Sequence, residues 1–170
     1  MKNCGKKKWA WPSINVHFRY ENSLTIYTIG FTRKTAERFF GALRSTGAKH
    51  LLDVRVSNNS QLAGFTKKND LSYFLKRLAN MEYREMPILA PERSILNEYR
   101  KTRDWARYEE RYLELIRQRG AEKHIDPVLF EEGVVLLCSE PEPTHCHRRL
   151  AAEYLAHALS SKAKAEIVHL

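Results

Sequence analysis

Apolar residues follow two different periods along the chain, and the two periods alternate. Residues 24–30, LTIYTIG, are β-rich and end in glycine, which is typical of a strand. Apolar residues at helical spacing follow between residues 36 and 43, with Thr32 as the predicted helix cap and Gly47 as its predicted end. This part of the chain therefore predicts a strand followed by a helix.

The alternation continues to the end of the sequence. The predicted strands are HLLDVR at 50–55, EYREMPIL at 82–89, VVLLC at 134–138 and AEIVHL at 165–170. The predicted helices cover residues 70–80, residues 105–120, a short piece before Gly133, and a last segment that begins near Thr144. The charged stretch APERSILNEYRKTRD at 90–104 is predicted to be an irregular loop of functional importance.

Strands that alternate with helices predict an α/β fold. The continuous apolar run at 134–138 is typical of a strand that is buried on both faces. We therefore expect a three-layer, Rossmann-like architecture, with a mostly parallel sheet and helices on both faces. Residues 23–170 would form one domain, and residues 1–22, which carry several lysines, would form a basic tail.

Polar residues collect where the predicted strands end. Residues 30–32, 53–60 and 138–149 all begin at the end of a strand, and parallel sheets bind ligands beyond the carboxyl ends of their strands. We therefore expect these three segments to share one edge of the sheet and to form the functional site.

The segment CSEPEPTHCHRR supplies the most reactive side chains of that edge. With Thr144 as cap, Cys146 would lie in the first turn of the last helix, where the helix dipole and nearby arginines lower the pKa of a thiol. Cys146 would then be a nucleophile or a thiol that faces an oxyanion. The alternative is that Cys146 is a small buried residue. A cysteine-phosphatase loop is disfavoured, because Ala152 stands where such a loop has its arginine.

A metal site has the right residue types but the wrong spacing. Cys138, His145, Cys146 and His147 include soft and borderline zinc ligands. Zinc knuckles pair ligands two to four residues apart, and Cys138 lies further than that from Cys146. The sequence therefore predicts no metal and no cofactor, and it predicts that Cys138 packs in the core. A redox or metal sensor through Cys138 and Cys146 is an alternative.

Charged residues complete the predicted site. Asp53 would lie at the edge of the core and needs a cationic partner such as Arg55 or Arg148, whether its role is structural or catalytic. Glu140 is placed to transfer a proton, to orient an arginine or to bind a ribose hydroxyl, and a solvated loop acid is the alternative. The predicted catalytic residues are Cys146, Glu140 and Asp53, and the predicted ligand-binding residues are Gly30, Thr32, Arg55, Ser60, His147 and Arg148.

The composition of the chain indicates which classes of binding partner are favoured. The chain of 170 residues carries a formal net charge of +9, which favours an anionic partner such as a phosphate or nucleotide, with nucleic acid as the alternative. In the nucleic-acid alternative, the basic tail and residues 84–111, with their arginines and the ring of Tyr99, would contact the nucleic acid. Trp105 could stack as well, but its helical spacing favours a core position. No apolar run approaches the roughly 20 residues that span a bilayer, and no secretory signal is present, so we expect a cytoplasmic protein without membrane contact.

Three motifs resemble one known family. The segments IYTIGFT, LLDVRVSNNSQ and LLCSEPEPTHCHRR, in this order across residues 24–170, resemble the domain-of-unknown-function family 488. That family has Gly-His-Ser, then Asp-Val-Arg with Pro-x-Ser-Arg, and finally Cys-x-Glu with Cys-His-Arg. Here Phe31, Thr32, Asn58 and Gln61 replace the family's histidine, serine, proline and arginine. The resemblance supports the fold and the site. If the family's histidine is a general base, the resemblance implies that this chain has lost it or carries it at another position.

We therefore expect an enzyme-like α/β domain that binds a phosphorylated or nucleotide-type ligand at the N-terminus of its last helix. Arg55 and Arg148 would hold the anion. A non-catalytic nucleic-acid-binding protein is the alternative.

Overall fold

The structure, a computed structural model, describes residues 24–59, 63–159 and 164–170. The predicted basic tail at 1–22 lies outside the described residues. The strands are β1 (Leu24–Gly30), β2 (His50–Asp53), β3 (Glu82–Glu85), β4 (Val134–Cys138) and β5 (Ala165–His169). The α-helices of the described residues are α1 (Ala36–Thr46), α2 (Lys68–Phe74, extended by a π turn at Leu75–Ala79), α3 (Arg93–Thr102), α4 (Trp105–Gln118), α5 (Val128–Glu131, a single turn) and α6 (His147–Leu159).

The strands of the described residues form one five-stranded sheet in the order β3-β2-β4-β1-β5, and its neighbouring strands are parallel. The register pairs Gly30 with Cys138 and Asp53 with Leu137. The carboxyl ends of β1, β2 and β4 therefore meet at one edge, as the sequence predicts.

Helices cover both faces of this sheet. Along β4, Val134 and Leu136 pack in a hydrophobic cluster with α4 and α6. Val135 and Leu137 alternate with them and pack in a second cluster with α1 and α2. The fully buried central strand and the three-layer α/β architecture are thus confirmed. None of the helices within the described ranges is both long enough and apolar enough to pass through a lipid bilayer.

The prediction of a loop at 90–104 is wrong, because most of this stretch is helix α3. The helix buries Ile95 and lays Tyr99 against the first turn of α4, with ring centroids 5.6 Å from Trp105 and 5.0 Å from Tyr108. The stretch has few apolar residues among many charged ones, so its sequence pattern does not indicate a helix. Packing against α4 stabilises the helix instead.

Both predicted helix caps are also displaced. Thr35, not Thr32, caps α1, because a tight turn at 31–34 follows β1 and the Thr35 hydroxyl accepts a hydrogen bond from the N–H of Arg38. Helix α6 begins at His147, not near Thr144. The N–H of Cys146 is used in a turn, where it donates to the carbonyl of Pro143. Cys146 therefore precedes the first turn of α6.

The third predicted strand is shorter than EYREMPIL. It ends at Glu85, and a 3₁₀ turn at Pro87–Leu89 follows. Proline has no N–H for the sheet and favours the start of a turn, which explains the early end.

Candidate functional site

A cleft of about 990 Å³ opens at the carboxyl edge of the sheet. Residues 55–57 after β2 and residues 138–140 and 145–147 after β4 form its floor and one side, and α3 and the start of α4 form the other side. Helix α2, which follows β2, packs on one face of the sheet, and α6, which follows β4, packs on the other. The chain segments that leave these neighbouring strands therefore diverge, and such a switch point leaves a crevice for a ligand.

The rim of the cleft is basic. Arg93, Arg100 and Arg103 line it and are exposed. None of them has a carboxylate partner in the part of the chain that the structure describes. By contrast, Arg107 and Arg111 on α4 both pair with Glu98. The unpaired guanidinium groups can therefore bind an anion without first breaking an ion pair.

The wall beside the rim is aromatic. Trp105 is stacked on Tyr108 with a centroid distance of 5.1 Å, and the ring of His145 lies 5.0 Å from Trp105. Tyr99 completes this wall. Trp105 is half-buried and lines the cleft, so one face of its ring is accessible to a ligand.

The floor brings together two thiols and an imidazole. The Sγ atoms of Cys138 and Cys146 and a ring nitrogen of His147 all lie within 4.8 Å of one another, and all three residues are buried. His147 Nδ1 is 3.7 Å from Cys138 Sγ, and its Nε2 is 2.8 Å from the carbonyl oxygen of Val54. A carbonyl oxygen only accepts, so Nε2 carries the proton and Nδ1 presents its lone pair to the thiols. Cys138 is thus buried, as predicted, and is also part of the floor.

The two thiols do not ionise alike. A hydrogen bond with Cys138, together with burial, raises the pKa of Cys146, which is opposite to the direction that the sequence predicts. Burial opposes the ionisation of Cys138, but hydrogen bonds from Cys146 and from the backbone of Glu140 outweigh it and lower the pKa of that thiol. Two adjacent thiols do not both ionise easily, because the first negative charge raises the pKa of the second thiol. The sequence does not show this effect, because Cys138 and Cys146 are eight residues apart along the chain and become neighbours only in the fold.

Asp53 has the partner that was expected. Its carboxylate accepts hydrogen bonds from Arg55 Nε at 2.8 Å and from the second terminal nitrogen of Arg55 at 2.6 Å, and both side chains are 1% exposed. The hydroxyl of Tyr83 donates to the same carboxylate at 2.6 Å, and the remaining terminal nitrogen of Arg55 donates to the carbonyl of Thr66 at 2.9 Å. Burial opposes the charge of Arg55, but its contacts with Asp53 and with Tyr83 raise its pKa above the usual value. Arg55 therefore keeps its charge, and its hydrogen bonds with Asp53 and Thr66 hold the loop after β2 in place.

Arg148 braces the loop after β4. It is fully buried, and its terminal nitrogens donate to the carbonyls of Glu140 at 2.5 Å and Pro141 at 3.2 Å. One of them also lies 3.3 Å from Cys146 Sγ. The backbone of Glu140 crosses directly over Gly30, where an added Cβ would lie 1.7 Å from the Glu140 oxygen. The crossing fills the space between the ends of β1 and β4, so the open crevice lies between β2 and β4.

The predicted site residues separate into two groups. Arg55, Glu140, Cys146 and His147 line the cleft. Gly30, Thr32, Asp53 and Arg148 lie at the same edge but do not line it, and Ser60 lies outside the described residues. Sequence reasoning missed the Val54 carbonyl that orients His147 and the Tyr83 hydroxyl that binds Asp53. No sequence signal reveals the carbonyl, whereas Tyr83 sits in a predicted strand beside β2.

Phe31, at the position of the resembled family's histidine, is 1% exposed. It packs in the cluster of α1 and α2, and the guanidinium carbon of Arg55 lies 5.5 Å from the centre of its ring. The residue therefore supports the Asp53–Arg55 pair and supplies no titratable group.

One family model matches this chain. It is described as the domain of unknown function DUF488 and covers residues 35–155, which include β2, the helices of the cleft wall, β4 and the thiols of the floor. No curated protein and no solved structure matches the chain significantly.

Proposed function

We propose that this chain, which belongs to the DUF488 family of domains of unknown function, is an enzyme that binds a phosphorylated or nucleotide-type ligand in its cleft. The observation that carries the proposal is the pairing of a rim of arginines with an aromatic wall. Both lie above a floor of thiol and imidazole groups.

The arginine rim suits a phosphate. A guanidinium group offers several N–H donors in a fixed plane, which matches the oxygens of a phosphate. Arg100 and Arg103 end helix α3 and begin its link to α4, so they face the cleft from one side, while Arg93 lines it from the start of α3. The N-terminus of α6 at His147 adds a favourable dipole from the opposite side.

The aromatic wall suits a base or another flat ring. Stacking on an aromatic side chain is worth about 1–3 kcal/mol per base. Trp105 and His145 lie beside the arginine rim, so a ligand with a ring and a phosphate would contact both at once. This arrangement favours a mononucleotide over a free phosphate.

The reacting groups of the proposal lie at the floor. Cys146 and Glu140 both line the cleft, and Glu140 is exposed, so its carboxylate is accessible for proton transfer. Asp53 acts indirectly in this proposal, because its carboxylate is occupied by Arg55 and Tyr83. It positions the loop that carries Arg55.

Calorimetric titration of the full chain with AMP, ribose 5-phosphate and inorganic phosphate tests the proposal. We expect AMP to bind more tightly than ribose 5-phosphate, which has no base to stack on Trp105. Arg100→Ala and Arg103→Ala should each weaken AMP binding about 10-fold or more, because a hydrogen bond to a charged group contributes about 1.5–3 kcal/mol.

Lys101→Ala is the matched control. Lys101 lies between the two arginines in sequence and is exposed, but it does not line the cleft. Its substitution should change AMP affinity less than about 2-fold. Equal losses in all three variants would mean that general surface charge attracts the ligand, and an absence of AMP binding would reject the cleft as a nucleotide site.

A second candidate uses the same surface differently. Arg100, Lys101 and Arg103 form an exposed basic run beside the aromatic wall, which also suits a single-stranded nucleic acid. In that case the protein would bind without catalysis. The dependence of binding on salt concentration separates the two candidates.

A further inference from the structure

The geometry points to a zinc site at the floor of the cleft, with Cys138, Cys146 and His147 as protein ligands and a fourth position open to the cleft. This inference adds a metal to the site of the proposed function. Metal binding and nucleotide binding are measured separately, so either can fail without the other.

The distances fit a tetrahedral metal. Zinc bonds sulfur at about 2.3 Å and histidine nitrogen at about 2.0–2.1 Å, so neighbouring sulfur and nitrogen ligands lie about 3.6 Å apart around it. The distance from Cys138 Sγ to His147 Nδ1 is 3.7 Å. Cys146 Sγ lies within 4.8 Å of Cys138 Sγ and of a ring nitrogen of His147. The three donor atoms therefore need only small shifts to bind one ion.

The imidazole is held as metal-binding histidines are held. Its Nε2 donates to the carbonyl of Val54, which fixes the tautomer and aims the lone pair of Nδ1 at the two thiols. Such a hydrogen bond on the distal nitrogen orients ligating histidines and raises their basicity.

The sulfurs have a supporting group of their own. A terminal nitrogen of Arg148 lies 3.3 Å from Cys146 Sγ, and Arg148 is locked in place by two backbone carbonyls. An N–H donor on a ligating sulfur stabilises its thiolate form. Two thiolates and one imidazole are soft and borderline ligands, which favours zinc over magnesium or calcium.

The fourth coordination position of the zinc distinguishes a structural site from a catalytic one. Structural zinc sites are closed by four protein ligands, whereas catalytic sites have three protein ligands and an open position. Cys138, Cys146 and His147 all line the cleft, so the open position faces the space where we place the ligand. A zinc ion there would act as a Lewis acid on a bound water or on a ligand oxygen.

Cobalt titration of the full chain tests this inference. The protein is treated with a chelator, kept reduced, and titrated with Co²⁺ alone and then with Zn²⁺. We expect one equivalent of Co²⁺ to produce thiolate-to-cobalt charge-transfer bands and the strong visible bands of a tetrahedral site, and Zn²⁺ to remove them. Native protein that shows no charge-transfer bands, with its thiols verified as reduced, would overturn the inference.

Variants assign the ligands. Cys138→Ala, Cys146→Ala and His147→Gln should each weaken Co²⁺ binding by more than about 100-fold, beyond the 10–100-fold typical of losing an outer-shell partner. Alanine is used because a buried cysteine packs as a small apolar residue. Cys4→Ser and His124→Gln, which changes an exposed histidine that does not line the cleft, are the controls and should bind Co²⁺ like the native chain.

Loss of Co²⁺ binding in a variant counts only if that variant is folded. Circular dichroism identifies any variant that fails to fold, and the native titration then decides alone. Charge-transfer bands that disappear in Cys4→Ser, or that persist in both Cys138→Ala and Cys146→Ala, would place the metal elsewhere and reject this site. AMP titration of the metal-free chain reports on the proposed function independently.

Discussion

The carboxylate of Asp53 is buried, and a single buried charge is costly unless a partner compensates it. Arg55 and Tyr83 together supply that compensation with three hydrogen bonds to the two carboxylate oxygens. The Asp53 carboxylate also accepts from the backbone N–H of Arg55 at 3.1 Å. At the scale of the residue, Asp53 therefore shapes the loop after β2 and fixes where Arg55 meets the cleft.

Asp53→Asn should lower the free energy of unfolding by about 3–5 kcal/mol, because it leaves the buried guanidinium of Arg55 without a counter-charge. Urea denaturation measures this loss. Asp70→Asn is the control, since Asp70 is exposed in the first turn of α2, and it should cost less than about 1 kcal/mol. Similar small losses in both variants would show that the buried pair contributes little to stability.

At the scale of the element, the close crossing of β1 and the loop after β4 determines where the crevice opens. Gly30 ends β1 directly beneath the backbone of Glu140, and Arg148 holds that backbone from α6. No side chain fits at position 30, so the need for glycine here is steric. The crossing keeps Glu140 and Cys146 on the side of the crevice between β2 and β4.

Gly30→Ala should destabilise the fold by about 1–3 kcal/mol and weaken AMP binding, because the new methyl group forces the loop after β4 to move. Gly41→Ala is the matched control. A Cβ at Gly41, in the middle of α1, meets nothing within 4 Å, so this substitution should stabilise the protein by about 0.5–1 kcal/mol. Urea denaturation and AMP titration of both variants check the prediction. A Gly30→Ala protein with native stability would contradict the prediction, because it would show that the loop after β4 can move away from residue 30 at little cost.

At the scale of the whole molecule, the net charge of +9 attracts any polyanion, whether or not the cleft takes part. A mononucleotide in the cleft contacts only a few arginines. An oligonucleotide contacts many cations at once and releases many counterions from its backbone. The two modes therefore differ in their response to salt.

Raising the salt concentration from about 50 to about 200 mM should weaken AMP binding only several-fold, and it should weaken the binding of a single-stranded oligonucleotide by orders of magnitude. Fluorescence anisotropy with labelled ligands measures both. Charge reversal of Lys6 and Lys7 should weaken the oligonucleotide alone. Oligonucleotide binding that is tighter than AMP binding at the lower salt concentration and falls steeply as salt is raised would favour the nucleic-acid-binding candidate.

Much of the fold could be predicted from local patterns. The apolar run at 134–138 and the alternating strands and helices are properties of neighbouring residues, and the structure confirms them. The prediction failed for α3, whose helical face is recognisable only with α4 packed against it. It also misplaced the start of α6, because the turn at 143–146 competes with the helix for the N–H of Cys146.

The candidate site could be predicted only in outline. By itself the sequence determined the α/β fold and the edge at which polar residues gather, because the end of a strand is a local property. Only the tertiary structure decided which side chains meet there. His147 is oriented by the carbonyl of Val54, 93 residues away along the chain, and Cys138 joins Cys146 through a folded loop. Hydrogen bonds and metal coordination depend on distance through space, which the spacing of residues along the chain does not contain.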